Sequence, residues 1–309
     1  MSVIEQAAKR LEELRRAGIE VAASGQNASL GRARDGGEVA VALATAHAHG
    51  EKGTVAAAAA TRAQLPARAK FEIDIAKLAR EGFVTPDNPR SRIADEFRIV
   101  KRPLIANAVG KGKLPIKDGN LIMVTSAVPG EGKTFCAVNL ALSIAMELDQ
   151  TVLLVDADVA RPSLPRVLGL PSGRGLLDAL GSGSFDLDDA LIQTNVEKLT
   201  VLTSGTQYAN ATELLASDAM DRLLVEIASR YPERIVVFDS PPLLVTTEAR
   251  VLATHMGQIV FVVQAESTPQ SDVKRALATI DACPVKMILL NQARTAAQGA
   301  YGYGYGYNS

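Results

Sequence analysis

The chain has 309 residues, 47% of them hydrophobic, enough for two domains or for one α/β domain with extensions. Lysine and arginine (33) balance aspartate and glutamate (34), and a net charge of −1 makes no electrostatic case for nucleic acid. The two cysteines, Cys136 and Cys283, lack C-x-x-C spacing and suit packing in a reducing cytoplasm, and no apolar run reaches the roughly 18–20 residues that span a bilayer.

The first residues are charged throughout and do not read as a signal peptide. Residues 1–17 form a candidate amphipathic helix, with Ile4, Ala7, Ala8, Leu11 and Leu14 on one face. So short a helix is marginal alone; packing on its own domain and docking on another protein stay open, with a membrane surface behind both. Residues 18–68, rich in Ala, Gly and Arg and including the run Ala56–Ala60, read as a flexible low-complexity linker. His47 and His49 lie there without other ligand types, which argues against a metal site. Leading helices are expected over 69–119. One runs Phe71 to Gly82, with Gly82 ending it; after a Pro86–Pro89 loop the other runs Ser91 to Ala108, with Pro103 expected to kink or interrupt it. Asp95, Arg98 and Lys101 recur at every third position and read as one charged face.

From residue 120 to 298 the pattern becomes alternating β and α. Strands are expected at Leu121–Val124, Val152–Val155, Leu199–Leu202, Ile235–Phe238, Ile259–Val263 and Lys286–Leu290. Helices are expected at Lys133–Glu147, Ala211–Arg230, Thr246–Thr254 and Pro269–Ile280, with short helices and turns over Leu164–Gln193. Short apolar strands alternating with helices imply an α/β fold, a mostly parallel sheet flanked by helices.

The stretch LIMVTSAVPGEGKTF, Leu121 to Phe135, is strand, Gly-rich turn and helix in succession, the context of a P-loop. Ala127 stands where the G-x-x-x-x-G-K-[ST] pattern has its first glycine. Pro129, Gly130, Glu131, Gly132, Lys133, Thr134 and Phe135 are the candidate nucleotide-binding positions, because loop N–H groups and a helix N-terminus hold phosphate oxygens. Lys133 would reach the β and γ phosphates, and the Thr134 hydroxyl is placed for Mg²⁺. Two further strands end in acid: TVLLVDAD, with Asp156 and Asp158, and RIVVFD, with Asp239. A strand buried on both faces tolerates no carboxylate in its middle, whereas at its end, beside phosphates and Mg²⁺, a carboxylate has a use.

Together SAVPGEGKT, LLVDADVARPSL and VVFDSPP resemble the Walker A, A′ and B motifs of bacterial tyrosine kinases, within the MinD/ParA-like P-loop ATPases. IEQAAKRLEELRRAG and FVTPDNPRSRIADEFRIVKRPL look more particularly like the tyrosine autokinases of exopolysaccharide and exosortase (PEP-CTERM) loci. The resemblance implies ATP and Mg²⁺ as cofactors. It makes Lys133, Asp156 and Asp158 catalytic, with Asp156 assisting the metal and acting as base toward a tyrosine hydroxyl and Asp158 supporting it; flanking a single residue, Asp156 and Asp158 are both candidate ligands of one Mg²⁺. It gives Asp239 a water-mediated place on Mg²⁺ and puts Asn291 near the adenine ring. Val128 stands where the partitioning ATPases carry a signature lysine, and Ala160 breaks the family's D-x-D-x-R, so the resemblance does not decide a role for Arg161. Asp95, Arg98 and Lys101 match the family's E-x-x-R-x-x-R interface motif conservatively, implying a homo-oligomer.

The tail, 299–309, ends YGYGYGYNS, so that Tyr301, Tyr303, Tyr305 and Tyr307 are spaced by glycine on a segment able to extend roughly 30 Å. Beside a kinase-like ATP site these are candidate phospho-acceptors. The resemblance further implies a cytoplasmic enzyme acting on exopolysaccharide production. A membrane chain-length-determinant (polysaccharide co-polymerase) protein would recruit it to the inner face of the plasma membrane and activate it, and a cognate tyrosine phosphatase would reverse it. The competing readings are a MinD/ParA-like ATPase switch and an ATP-dependent scaffold without phosphotransfer.

Overall fold

The computed structural model describes residues 70–293 apart from 113–114, 172, 182–186 and 231–232. The expected helix at 1–17, the linker with His47 and His49, and the tail with Tyr301, Tyr303, Tyr305 and Tyr307 lie outside the described residues.

Seven strands form one sheet: β1 (Leu121–Ser126), β2 (Thr151–Asp156), β3 (Ile192–Gln193), β4 (Leu199–Leu202), β5 (Arg234–Asp239), β6 (Gln258–Gln264) and β7 (Val285–Asn291). Their order is β3-β4-β2-β5-β1-β6-β7. Every pairing is parallel except β3 with β4. Alternate residues of each central strand enter opposite faces, as the two-residue repeat of a pleated strand requires. Ile122, Val124, Val152, Leu154, Ile235 and Val237 pack on one side, and Met123, Leu153, Val155, Val236 and Phe238 on the other. The first side is covered by α1 (Ile75–Arg80), α2 (Arg92–Ala108), α3 (Lys133–Ala145) and α4 (Leu164–Leu168). The second is covered by α5 (Leu176–Gly181), α6 (Leu187–Ala190), α7 (Ala211–Leu215), α8 (Asp218–Arg230), α9 (Thr247–Ala253) and α10 (Gln270–Ala278). This is the P-loop α/β sandwich expected, with all six expected strands in place.

Four local expectations are corrected. Helix α1 begins only at Ile75, because the Asp74 side chain accepts the Lys77 N–H and caps it there. Phe71 instead makes a parallel bridge to Thr194. The span Ala211–Arg230 is two helices, broken at Ala216–Ser217, where the Ser217 hydroxyl bonds the Leu214 carbonyl (2.7 Å). Helix α3 stops at Ala145, so Leu148 leaves its buried face and is 87% exposed. Pro103 does not interrupt α2, which runs through it. Its ring lies on the exposed side, where water can satisfy the carbonyl that its missing N–H leaves.

Lys101 is the fifth correction. Steps of three residues fall about 60° short of a full turn each, so two of them carry Lys101 round to the buried side of α2. Its side chain is 5% exposed, and its ammonium pairs with Glu147 at 2.7 Å. It also donates to the Ser143 carbonyl, one of the last carbonyls of α3 left without an intrahelical partner. Asp95 and Arg98, by contrast, pair with each other on the outside. Lys101→Met, which keeps the stem and removes the charge, should lower stability by about 2–4 kcal/mol in urea unfolding. Arg98→Met should change it by less than about 1 kcal/mol.

Candidate active site

Three neighbouring strands, β2, β5 and β1, bring the expected residues to one end of the sheet. Asp156 and Asp239 are register partners on β2 and β5, and Val124, three residues before the loop, is the partner of Asp239 on β1. Residues in register share a face, so the two carboxylates stand side by side next to the phosphate loop. The segment after β5 is laced to the loop's root: Leu243 N–H bonds the Ser126 carbonyl (2.9 Å) and Leu244 N–H the Ala127 carbonyl (3.1 Å).

The loop turns through two left-handed glycines, Gly130 (φ 89°) and Gly132 (φ 93°). At 132 a Cβ would lie 2.1 Å from Asn291 Nδ2, so any other residue would push that amide away besides bearing the left-handed backbone. Ala127 is not among the positive-φ residues, so its Cβ brings no left-handed backbone strain to the loop. Gly132 precedes α3 without any side-chain cap, which leaves the N–H groups of the first turn free for an anion. Lys133 is buried at that helix start.

The carboxylates differ in how they are held. Asp156 Oδ2 accepts the N–H groups of Ser163 and Leu164 (3.0 Å each), while Oδ1 has no partner. Neither oxygen of Asp239 makes a well-formed hydrogen bond. Both groups are 0% exposed. Burial pushes the Asp156 carboxyl up to about 7 against the pull of the Leu164 and Ser163 amides. Burial and then the nearby Asp156 push Asp239 up to about 8, opposed by the Thr134 hydroxyl and Lys133. Asp158 is half-buried and accepts the Arg161 N–H at 3.1 Å. Burial raises its carboxyl too, offset by that amide and then by the charges of Lys133 and Arg161. Stranded, partnerless oxygens on adjacent buried carboxylates are what a cation would satisfy. Among the described residues no cluster of three or more His, Cys, Asp or Glu forms a self-sufficient metal cage. Mg²⁺ is held by one or two carboxylates together with substrate phosphates, the number that Asp156 and Asp239 supply.

Other expected positions sit less directly. Pro129 and Gly130 are exposed at the loop tip. The Glu131 side chain is 1% exposed and bonded into the protein. Phe135 packs on Phe83, ring centroids 4.9 Å apart. Asn291 ends β7 and donates from Nδ2 to the Glu131 carbonyl (2.9 Å). Ser163 was missed: its N–H holds Asp156, and its hydroxyl pairs with that of Thr134 at 2.9 Å. Its signal was a serine just before Leu-Pro at a helix start.

A family model described as an AAA domain matches residues 119–292. The chain is similar to the tyrosine-protein kinase YwqD of Bacillus subtilis, 30% identical over 226 residues that span 72% of this chain and 91% of that protein. Among solved structures, the chimerical protein CapA2B2 is 28% identical with a TM-score of 0.56, over 72% of this chain and 94% of that one. The kinase domain of the Escherichia coli tyrosine kinase ETK is 30% identical with a TM-score of 0.52, over 60% of this chain and 72% of that one.

Proposed function

The chain belongs to the bacterial tyrosine-protein kinases, and from that premise we propose that it is an ATP-dependent protein-tyrosine autokinase whose acceptors are Tyr301, Tyr303, Tyr305 and Tyr307. One observation supports the chemistry most: an uncapped helix N-terminus behind a phosphate loop lies beside two buried carboxylates that have stranded oxygens. Thr134, Asp156 and Asp239 would hold Mg²⁺ with the nucleotide; when bound, the cation neutralises charge on the transferred phosphoryl group. Lys133 adds a fixed positive charge at the same place. The γ-phosphorus bond to the ADP oxygen breaks as the bond to the tyrosine oxygen forms, and the hydroxyl proton passes to Asp156, with the half-buried Asp158 supporting it. Asn291, near the adenine end, would reach the base only through its remaining capacity, since one N–H already serves Glu131.

Assembly with further copies would use the outer face of α2 at Asp95 and Arg98, without Lys101, which is engaged inside its own fold. Among the described residues no helix is long and apolar enough to cross a membrane. Recruitment to the inner face of the plasma membrane by a chain-length-determinant protein, control of exopolysaccharide production, and reversal by a tyrosine phosphatase complete the proposal.

Incubation with Mg²⁺ and labelled ATP should produce phosphotyrosine. Changing all four tail tyrosines to Phe should remove most of the label and leave the ATP dissociation constant unchanged. Label of full intensity on Tyr208 or Tyr231 in that variant would disprove the tail assignment. Complete absence of phosphotyrosine, even with the activator's cytoplasmic segment added, would refute the kinase itself.

A further inference from the structure

Glu131 stands between the two left-handed glycines of the phosphate loop, yet its carboxylate serves the protein. Oε2 accepts the Val128 N–H at 2.7 Å, three residues back. The same three-residue reach lets a glutamate in a capping box satisfy a backbone donor behind it. Oε1 accepts from the Thr268 hydroxyl. Thr268 lies between β6 and α10 and is itself anchored, because its oxygen accepts the Gln264 N–H at the end of β6 (3.1 Å). The Glu131 carbonyl takes the amide of Asn291 from the end of β7. The loop, the β6–α10 turn and the end of β7 are thus fastened together at one residue.

A glycine-rich loop that is mobile before binding must lose that freedom when it closes on a phosphate. A loop already held in shape avoids the loss at the moment of binding. The two bonds are also hard to give up, since a buried carboxylate stripped of a donor leaves charge without compensation. We propose that Glu131 and Thr268 are positioning residues that pre-set the phosphate loop for nucleotide, acting through Val128. The inference rests on the nucleotide-binding half of the reading above and is independent of tyrosine transfer.

Two measurements on the full chain test it: calorimetric titration with Mg²⁺–ADP, and amide hydrogen exchange over 128–132 without nucleotide. Thr268→Val and Glu131→Ala should each weaken ADP binding about tenfold. The double variant should be no weaker than the worse single one, because both remove the same fastening. Thr268→Ser should bind as the wild type does. Glu131→Gln should recover most of the affinity, since a carboxamide can accept from Val128 and donate to Thr268. In Thr268→Val the melting temperature should fall by a few degrees, but exchange should quicken far more at the loop amides 128–132 than at the central strands, so that the loss is local to the loop. Wild-type ADP affinity and exchange in Thr268→Val would overturn the proposal, as would strictly additive losses in the double variant. If Glu131→Ala does not fold, Thr268→Val decides alone. Should the protein form no phosphotyrosine yet follow this ADP pattern, the kinase reading falls and the positioning role stands.

Discussion

Lys133→Met should lower phosphotyrosine formation by about 10²–10³-fold, the usual cost of removing one pre-organised charge from a transfer site. The substitution is nearly isosteric along the stem, and the residue is buried at the start of α3, so the methionine keeps the packing and loses only the ammonium. Phosphoryl transfer depends mostly on positioning and on neutralising charge, which makes the loss of this cation severe. The same cation holds Asp158 and Asp239 down electrostatically, so its removal raises both further. Quantitative phosphotyrosine immunoblotting over a time course, with a melting curve as the check on folding, measures the effect. Residual labelling above about a tenth of wild type would remove Lys133 from the centre of the mechanism.

Asp239→Asn is expected to move activity and stability in opposite directions. Transfer should fall by at least about 10²-fold, because one of the two buried carboxylates facing the phosphate loop is lost. Without nucleotide and metal, however, the variant should be more stable than wild type. In the folded protein the Asp239 carboxyl keeps its proton until about pH 8, whereas its ordinary value is 3.8. Between those limits the unfolded chain has released a proton that the native state retains, so native stability falls as pH rises. Asparagine carries no such penalty. Its advantage should be negligible near pH 4 and grow toward pH 8, where the melting temperature should exceed wild type by roughly 4 °C or more. Saturating Mg²⁺–ADP should reverse the order, since only the wild type gains the full binding stabilisation. Parallel melting curves at pH 5 and pH 8, with and without Mg²⁺–ADP, measure all of this. Equal melting temperatures at pH 8 without ligand would mean that Asp239 is already compensated.

The central sheet was readable because strands covered on both faces appear as unbroken apolar runs, as in Val152–Val155 and Ile235–Phe238. The same logic exposed Asp156 and Asp239, since a carboxylate at the end of such a run stands out. Elements set by partners distant in the chain were not readable. Strand β3 has only two residues and exists because β4 is beside it; the bridge to Phe71 follows just after it. The tie between Glu131 and Thr268 spans 137 residues, and nothing in a local pattern announces it. The inward turn of Lys101 was open to inference but was hidden by reading a spacing of three as a face, when the helical repeat is 3.6.

The strand order carries a consequence for how the molecule is made. β1 is flanked on both sides by strands that come much later, and Ser240 bonds Val124 across 116 residues. The phosphate loop hangs from the end of β1, so its frame is missing until β5 and β6 exist. During synthesis at about 5–20 residues per second, the emerging chain spends many seconds with the loop already made and no sheet to hold it. Long-range parallel pairing of this kind also places the protein among slow-folding topologies of high contact order. Competence to bind ATP is therefore acquired only once β5 and β6 have emerged, long after the loop itself is made, and a ribosome-bound chain ending before β5 should show none.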